Sequence, residues 1–205
     1  MEMHSVPVEY RDRVRRTFAA LQERGVECVY VPDRKAALEW LQQQLPAGDA
    51  IAHGSSTTLS EIGFVDLLKN EDLPYRYLNA EWQRENDAAA RYRLRAQLSL
   101  TADWYLGSVQ AICETGQVVG SDASGSRQAF YIFGPPRVIW VAGVNKLVPS
   151  LKAGFRRVHE VALPREDQRM KNQGAGGSYV GKLVVYEREK PGRISLLLVG
   201  ESLGF

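Results

Sequence analysis

Between Val6 and Leu68 helical and strand-like patterns alternate, and no other feature limits the folds open to this chain as strongly. Residues 6–24 carry Val14, Phe18 and Leu21 at helical spacing, with Ser5 as a cap, Pro7 in the first turn and Gly25 as a stop. Val26–Val31 reads as a short strand. Asp33 can cap a second helix bearing Ala37, Leu38, Trp40, Leu41 and Leu45, which Pro46, Ala47 and Gly48 break. A buried strand, Asp49–His53, leads into a polar loop, Gly54–Thr57, and a helix from Thr58. Helix, strand, helix, strand, loop, helix predicts an α/β fold with a mainly parallel sheet and helices on its faces.

The loop is the first candidate site. Thr58 and Glu61 form a T-x-x-E capping box ahead of Ile62, Val65, Leu67 and Leu68. Gly54 permits a sharp turn and close backbone approach. Ser55, Ser56, Thr57 and Thr58 then offer hydroxyls and backbone N–H groups at the positive end of a helix, which suits a phosphate or carboxylate. The same residues equally suit a well-capped helix with nothing bound. The pattern is neither a Walker A loop nor G-x-G-x-x-G.

Further along, Leu73–Leu78 reads as a strand, and Asn79 as the cap of a polar helix from Glu81 to about Leu98 whose charges (Arg84, Glu85, Asp87, Arg91, Arg93, Arg95) read mostly as a solvated face, with a role in recognition as the alternative. Ala102–Val109 and Gln110–Glu114 are strand-like. Thr115 and Gly116 make a tight turn into Gln117–Gly120, giving an antiparallel hairpin. Asp122–Arg127 is a polar loop and Gln128–Phe133 a strand. After Gly134-Pro135-Pro136 comes an apolar central strand, Val138–Gly143. Pro149 opens a helix to about His159. Residues 172–179 are a flexible glycine-rich loop, and residues 180–205 a terminal β-hairpin and tail. With 205 residues, no repeats and no linker, the chain is expected to be one domain.

A second candidate site lies at Val144-Asn145-Lys146, just past the carboxyl end of the central strand, the edge where open α/β sheets bind ligands. Asn145 supplies an amide and Lys146 a cation, although a polar βα loop with a surface lysine has the same look. His53, at a strand end, is a candidate acid or base, or a structural histidine. Glu114 and Asp122, either side of the Thr115-Gly116 turn, are candidate carboxylates or plain turn residues. Arg127 can grip a carboxylate ligand or pair with Asp122.

Composition narrows the chemistry. A net charge of +2 gives no basic field for nucleic acid. No apolar run is long enough to cross a bilayer and no signal-peptide pattern is present, so a cytoplasmic location is expected. Cys28 and Cys113 sit in apolar segments and read as core thiols. His4, His53 and His159 are scattered, which argues against a metal site.

Five stretches taken together carry a family resemblance: His53-Gly-Ser-Ser-Thr-Thr-Leu-Ser-Glu-Ile-Gly63, Ala111-Ile-Cys-Glu-Thr-Gly116, Ser121-Asp-Ala-Ser-Gly-Ser-Arg127, Phe133-Gly-Pro135 and Val141-Ala-Gly-Val-Asn-Lys-Leu-Val-Pro149. In order and spacing they resemble the LUD-domain, or lactate-utilisation, family, and Leu198–Phe205 is similar to the ending of its short members. The resemblance covers about residue 10 onward. It implies a Rossmann-like sandwich similar to the NagB/RpiA/CoA-transferase group. It also implies a part in oxidising L-lactate to pyruvate beside iron–sulfur partner proteins. The motif loops map onto Gly54–Thr58, Glu61, Glu114, Thr115, Gly116, Asp122, Gly125, Arg127, Asn145 and Lys146 as site-lining positions. The sequence departs from the family between Arg169 and the last strands. Many relatives are cysteine-rich there, whereas Gly174–Tyr179 has none, so no iron–sulfur cofactor is expected on this chain and any redox centre falls to a partner. Gln110 and Cys113 also replace the Asn and Thr common in relatives.

Three functions follow as expectations. The first is a non-redox component of a lactate-oxidising system that binds a small anionic metabolite, carboxylate or phosphate. The second is a free-standing isomerase or acyl transferase acting on a phosphorylated or CoA-linked substrate. The third is a regulatory or interaction protein. A homo-oligomer is compatible with each.

Overall fold

The computed structural model describes residues 6–70 and 72–205. In chain order its elements are α1 (Val8–Gln22), β1 (Glu27–Val31), α2 (Arg34–Gln44), β2 (Ala50–His53), α3 (Thr57–Glu61), α4 (Phe64–Leu67), β3 (Arg76–Tyr77), α5 (Leu78–Gln83), α6 (Ala88–Leu100), β4 (Trp104–Gly107), β5 (Ala111–Cys113), β6 (Val118–Asp122), α7 (Ser126–Ile132), β7 (Arg137–Gly143), β8 (Leu147–Val148), α8 (Leu151–Arg157), α9 (Leu163–Asn172), β9 (Lys182–Tyr186) and β10 (Ile194–Val199). Six strands form one sheet in the order β1-β10-β7-β4-β2-β3, with every pairing parallel. A second sheet, β8-β5-β6-β9, mixes parallel and antiparallel pairs. The result is a Rossmann-like α/β sandwich.

The period of two in a strand decides what packs where. Ile51, Leu106, Ile139, Val141, Leu197 and Val199 point to one face of the large sheet, where Leu41, Leu59, Ile62, Phe64 and Leu68 of the α2–α4 side cover them. Their neighbours Ala52, Tyr105, Val138, Trp140, Leu196 and Leu198 point to the other face. There they meet Val14, Phe18, Leu21, Leu78, Trp82 and Tyr131 from helices and Ile112 and Val118 from the second sheet. The second sheet's outer face, Ala111, Cys113 and Val119, packs with Val158 and the half-buried Leu151 and Phe155 of the α8 stretch. Cys28 and Cys113 are free thiols in this packing; burial pushes them up to about 12 and about 11.

The terminal segment corrects the expected hairpin. β9 pairs antiparallel with β6 of the small sheet, whereas β10 inserts between β1 and β7 of the large one. The near-continuous apolar run Ile194–Val199 is what a strand buried on both faces needs, since both sides meet hydrocarbon. Segment Gln128–Phe133 is another correction, being helical within α7. The Asp122 carboxylate accepts N–H bonds from Ser124, Gly125 and Arg127, and Gly125 adopts φ +90°, so the chain is turned into a helix before the aromatic residues arrive.

The helix expected over Glu81–Leu98 is two helices, with Asp87 capping the second at Ala90 N–H. Asn79 is no cap. It lies buried within α5 and bonds the backbone N–H and carbonyl of His53. The strand expected at Leu73–Leu78 shrinks to Arg76–Tyr77. Ser56 rather than Thr58 caps α3, accepting from Leu59 N–H. Pro7 occupies the cap position of α1, and the expected Ser5 cap lies outside the described residues. Ser150, after Pro149, caps α8, whose helix does not stop at His159 but continues through a π turn, Val158–Ala162, into α9. Pro164 lacks the N–H an unbroken α-helix requires there, and the widened turn absorbs it.

Two-sided burial of β10 has a direct test. Leu196 and Leu197 are each fully buried, on opposite faces. Leu196→Ala and Leu197→Ala are both expected to cost about 2–5 kcal/mol in urea unfolding. A half-exposed hairpin would leave one of the two near neutral.

Candidate functional site

The large sheet brings three loops together. β2 leads outward to β3, whereas β4, its neighbour, leads back toward β7. Connections that diverge in this way open a crevice at the carboxyl ends of the strands. A cavity of about 250 Å³ lies there, lined by Ser55–Thr58 after β2, Ser108 and Gln110 after β4, and Lys146 after β7. Ser121, Asp122 and Arg127 close one side; Arg95, Glu166, Arg169, Tyr179 and Phe205 complete the wall.

Lys146 forms the floor. Its side chain is fully buried, and Nζ donates to Thr58 Oγ1 at 3.1 Å and Ser108 Oγ at 2.9 Å. Ser108 Oγ in turn donates to Val141 O at 2.6 Å. Among the described residues, no carboxylate is bonded to the amine. Burial, reinforced by Arg157 and Arg127 and opposed by Glu61, pushes the amine well below the usual lysine range.

The arginines differ in their freedom. Arg127 donates from Nη2 to Ser121 O, while its Nε, 3.6 Å from Asp122 Oδ2, is buried without a hydrogen bond. Arg95 Nε is likewise buried and unbonded. Arg169 is held by both Glu166 oxygens at 2.7 Å and reaches Ser55 Oγ at 3.5 Å, which ties α9 across the cavity. Among the described lining residues, three guanidinium groups thus face two carboxylate side chains, and both carboxylates are already bonded. Asp122 caps the turn into α7, and Glu166 clamps Arg169. Gly54 makes this closeness possible: a Cβ there would stand 2.9 Å from the Tyr105 hydroxyl and 3.0 Å from Arg127 Cδ.

The expected site residues therefore divide. Ser55, Ser56, Thr57, Thr58, Asp122, Arg127 and Lys146 converge on the cavity. His53 does not line it. One ring nitrogen meets Gly54 O at 2.9 Å and the other the Tyr77 hydroxyl at 2.8 Å, and burial lowers its pKa, so it is a neutral structural histidine. Glu114 stands at the α1 side of the small sheet. Burial alone would raise its carboxyl, but bonds from Arg16 and Arg13 outweigh that and hold it low. Thr115 bonds Gln117, and Gly116 packs on Ala20 and Arg24 in α1 and the turn after it. Gly125 holds the left-handed turn before α7. Asn145 grips the tail through Leu203 N–H and Gly204 O, and Glu61, the supposed box partner, accepts Gly204 N–H at 2.6 Å.

α3 has five residues and its Leu59 N–H is already capped, so the positive charge lining the cavity is that of side chains rather than of a helix end. In the sequence, Arg95 was legible only as one of a set of helix charges with recognition as the alternative to a solvated face, and nothing pointed to Arg169 or Glu166; they arrive on α6 and α9 through tertiary packing. Ser108, adjoining β4, was readable only as part of a strand. The cysteines lie in different sheets, and among the described residues no cluster of His, Cys, Asp and Glu is placed to hold a metal. Among the described residues no helix is long and apolar enough to cross a membrane.

The fold has a counterpart among solved structures, a DUF162 family protein from Deinococcus radiodurans, with a TM-score of 0.55 at 12% identity over 95% of this chain and 100% of that one. No curated protein matches the sequence. The sequence model described as the LUD domain matches residues 14–198, nearly the whole chain including every strand end of the cavity, and the chain belongs to the LUD-domain family.

Proposed function

We propose that this chain is a single-domain, cytoplasmic protein of lactate or related organic-acid utilisation that binds a small anionic metabolite at the carboxyl edge of its large sheet. The observation that carries this reading is the cavity in which the guanidinium groups of Arg95, Arg127 and Arg169 outnumber carboxylate side chains that are themselves already paired. Such a surplus in a partly desolvated cleft favours a carboxylate or phosphate. The volume of about 250 Å³ suits a metabolite of a few carbons. In this reading the chain carries no redox centre, and iron–sulfur partner subunits take the electrons from lactate. The family supports the metabolic setting, and the two separated cysteines support the division of labour.

Binding by the folded state alone stabilises it by about 2.7 kcal/mol at a hundredfold excess over Kd, which raises the unfolding midpoint. A thermal-shift series with lactate, pyruvate and inorganic phosphate is expected to give a positive shift for at least one of them. Arg127→Ala is expected to weaken that ligand by roughly ten- to a hundredfold, as loss of a charged hydrogen bond of about 1.5–3 kcal/mol. Flat midpoints for all anions at millimolar concentration, with the variant indistinguishable, would sink the reading.

Glu114→Gln provides the contrast. It removes an anion that Arg13 and Arg16 share, away from the cavity. The variant is expected to lose about 1–3 kcal/mol of stability and keep the ligand affinity of the parent, measured by urea unfolding and titration calorimetry. A matching loss of affinity would place Glu114 back among ligand contacts.

A further inference from the structure

A lysine amine with no carboxylate to neutralise it is costly to bury charged, by several kcal/mol even after relaxation. Lys146 nevertheless ends among hydroxyls at the cavity floor, and the direction of those hydroxyls matters. Ser108 gives its hydrogen to Val141 O at 2.6 Å, and Thr58 gives its own to Ser108 Oγ at 3.3 Å. Both oxygens accept from Lys146 Nζ, at 2.9 and 3.1 Å. A neutral amine satisfies both with its two N–H groups and keeps its lone pair, because neither hydroxyl hydrogen is directed at it. A lysine whose only task is to bind an anion has no need of this arrangement, which aims N–H groups at protein acceptors and leaves the pair free. Burial first, then the facing Arg157 and Arg127, favour the neutral form against the pull of Glu61. Arg95 and Arg127 line the same cavity, each with a buried Nε–H that makes no hydrogen bond, and Arg127 stands 3.6 Å from Asp122 as an ion pair.

A neutral amine in a cavity lined by guanidinium groups suits a molecule bearing a carboxylate next to an electrophilic carbonyl. We propose that Lys146 forms a Schiff base with a small 2-oxo carboxylate whose carboxylate is held by Arg127 and Arg95. The nitrogen lone pair bonds to the carbonyl carbon as the carbonyl π pair moves onto oxygen. The two amine hydrogens then leave with that oxygen as one molecule of water, giving the C=N bond. No electrons are exchanged with another reagent. The adjacent C–H is acidified by the imine and exchanges with solvent through the enamine. This inference rests on the anion-site reading and narrows its ligand to 2-oxo acids.

The test uses the full chain with pyruvate and sodium cyanoborohydride, read by intact mass and peptide mapping, with a parallel thermal-shift titration by pyruvate. One adduct per chain on the peptide containing Lys146, formed ahead of surface lysines and lost in Lys146→Met, is the expected result. Pyruvate methyl hydrogens should exchange into deuterium oxide, falling to the protein-free rate in that variant. Mapping the adduct on the parent chain locates the site even if Lys146→Met does not fold. A pyruvate-dependent midpoint shift with no adduct at Lys146, or labelling spread evenly over surface lysines, would overturn the Schiff base and leave the anion site standing. Neither a shift nor an adduct with pyruvate, beside a clear shift with phosphate, would also overturn the choice of 2-oxo acid. No shift with any anion would remove both readings.

Discussion

One buried amine joins three strand ends. Lys146 follows β7, Thr58 lies in the first turn of α3 after β2, and Ser108 follows β4, so the two hydrogen bonds from Nζ stitch neighbouring strands of one parallel sheet at their carboxyl edge. Interior burial without a carboxylate makes these bonds costly to lose, because an unsatisfied buried polar group costs about 1–3 kcal/mol. The geometry of the cavity therefore depends on the same contacts that shape its floor. Strand register supplies the rest: His53 lies opposite Leu106, and Leu106 opposite Ile139, which brings the loops beyond them level with one another.

Around that floor, polar residues divide into those that build the rim and those that remain open to the cavity. Asn145 and Glu61 hold Leu203 and Gly204, and Gly204 is pressed so near Thr58 and Lys146 that a side chain there would collide with them. Asp122 is occupied by three backbone N–H groups. These residues keep the loops in place while Arg95 and Arg127 keep unbonded donors. A site built this way is organised before any ligand arrives, which reduces the ordering cost of binding.

Much of this frame was readable from residue pattern, and the exceptions have physical reasons. The first two strands, the Asp33 cap, the Thr115-Gly116 turn and the central strand at Val138–Gly143 follow from local rules that tertiary contacts do not oppose. Thr58 and Lys146 could be named as polar groups at strand ends, although their mutual contact spans 88 residues and no local pattern encodes it. β10 misled because nearness in sequence to β9 suggested pairing, whereas its unbroken apolar run required a place with both faces covered. Phe130, Tyr131 and Ile132 have strand-like composition, and the Asp122 turn overrides it. Thr58 and Glu61 matched a capping box by spacing, yet Ser56 one turn position earlier reached Leu59 first, and the two were left for Lys146 and Gly204.

The charged wall explains why the rest of the site was illegible. Arg95 sits on a helix whose other charges are mostly exposed, and nothing in its spacing separates it from Arg91 or Arg93. Only the packing of α5 and α6 beside β2 turns it inward, toward Trp82 at 5.8 Å and the cavity. Arg169 depends on a still longer chain of causes. Pro164 forbids an unbroken α-helix, the π turn at Val158–Ala162 accommodates it, and the redirected α9 carries Arg169 to Ser55. The glycine-rich segment after α9 is then tied back through Ser178 N–H to Asp167 at 2.8 Å, bringing Tyr179 to the rim. Strand ends thus fix the floor by topology, while helix bends fix the wall. A chain of this architecture can therefore change its wall without disturbing its floor, by altering where α9 turns.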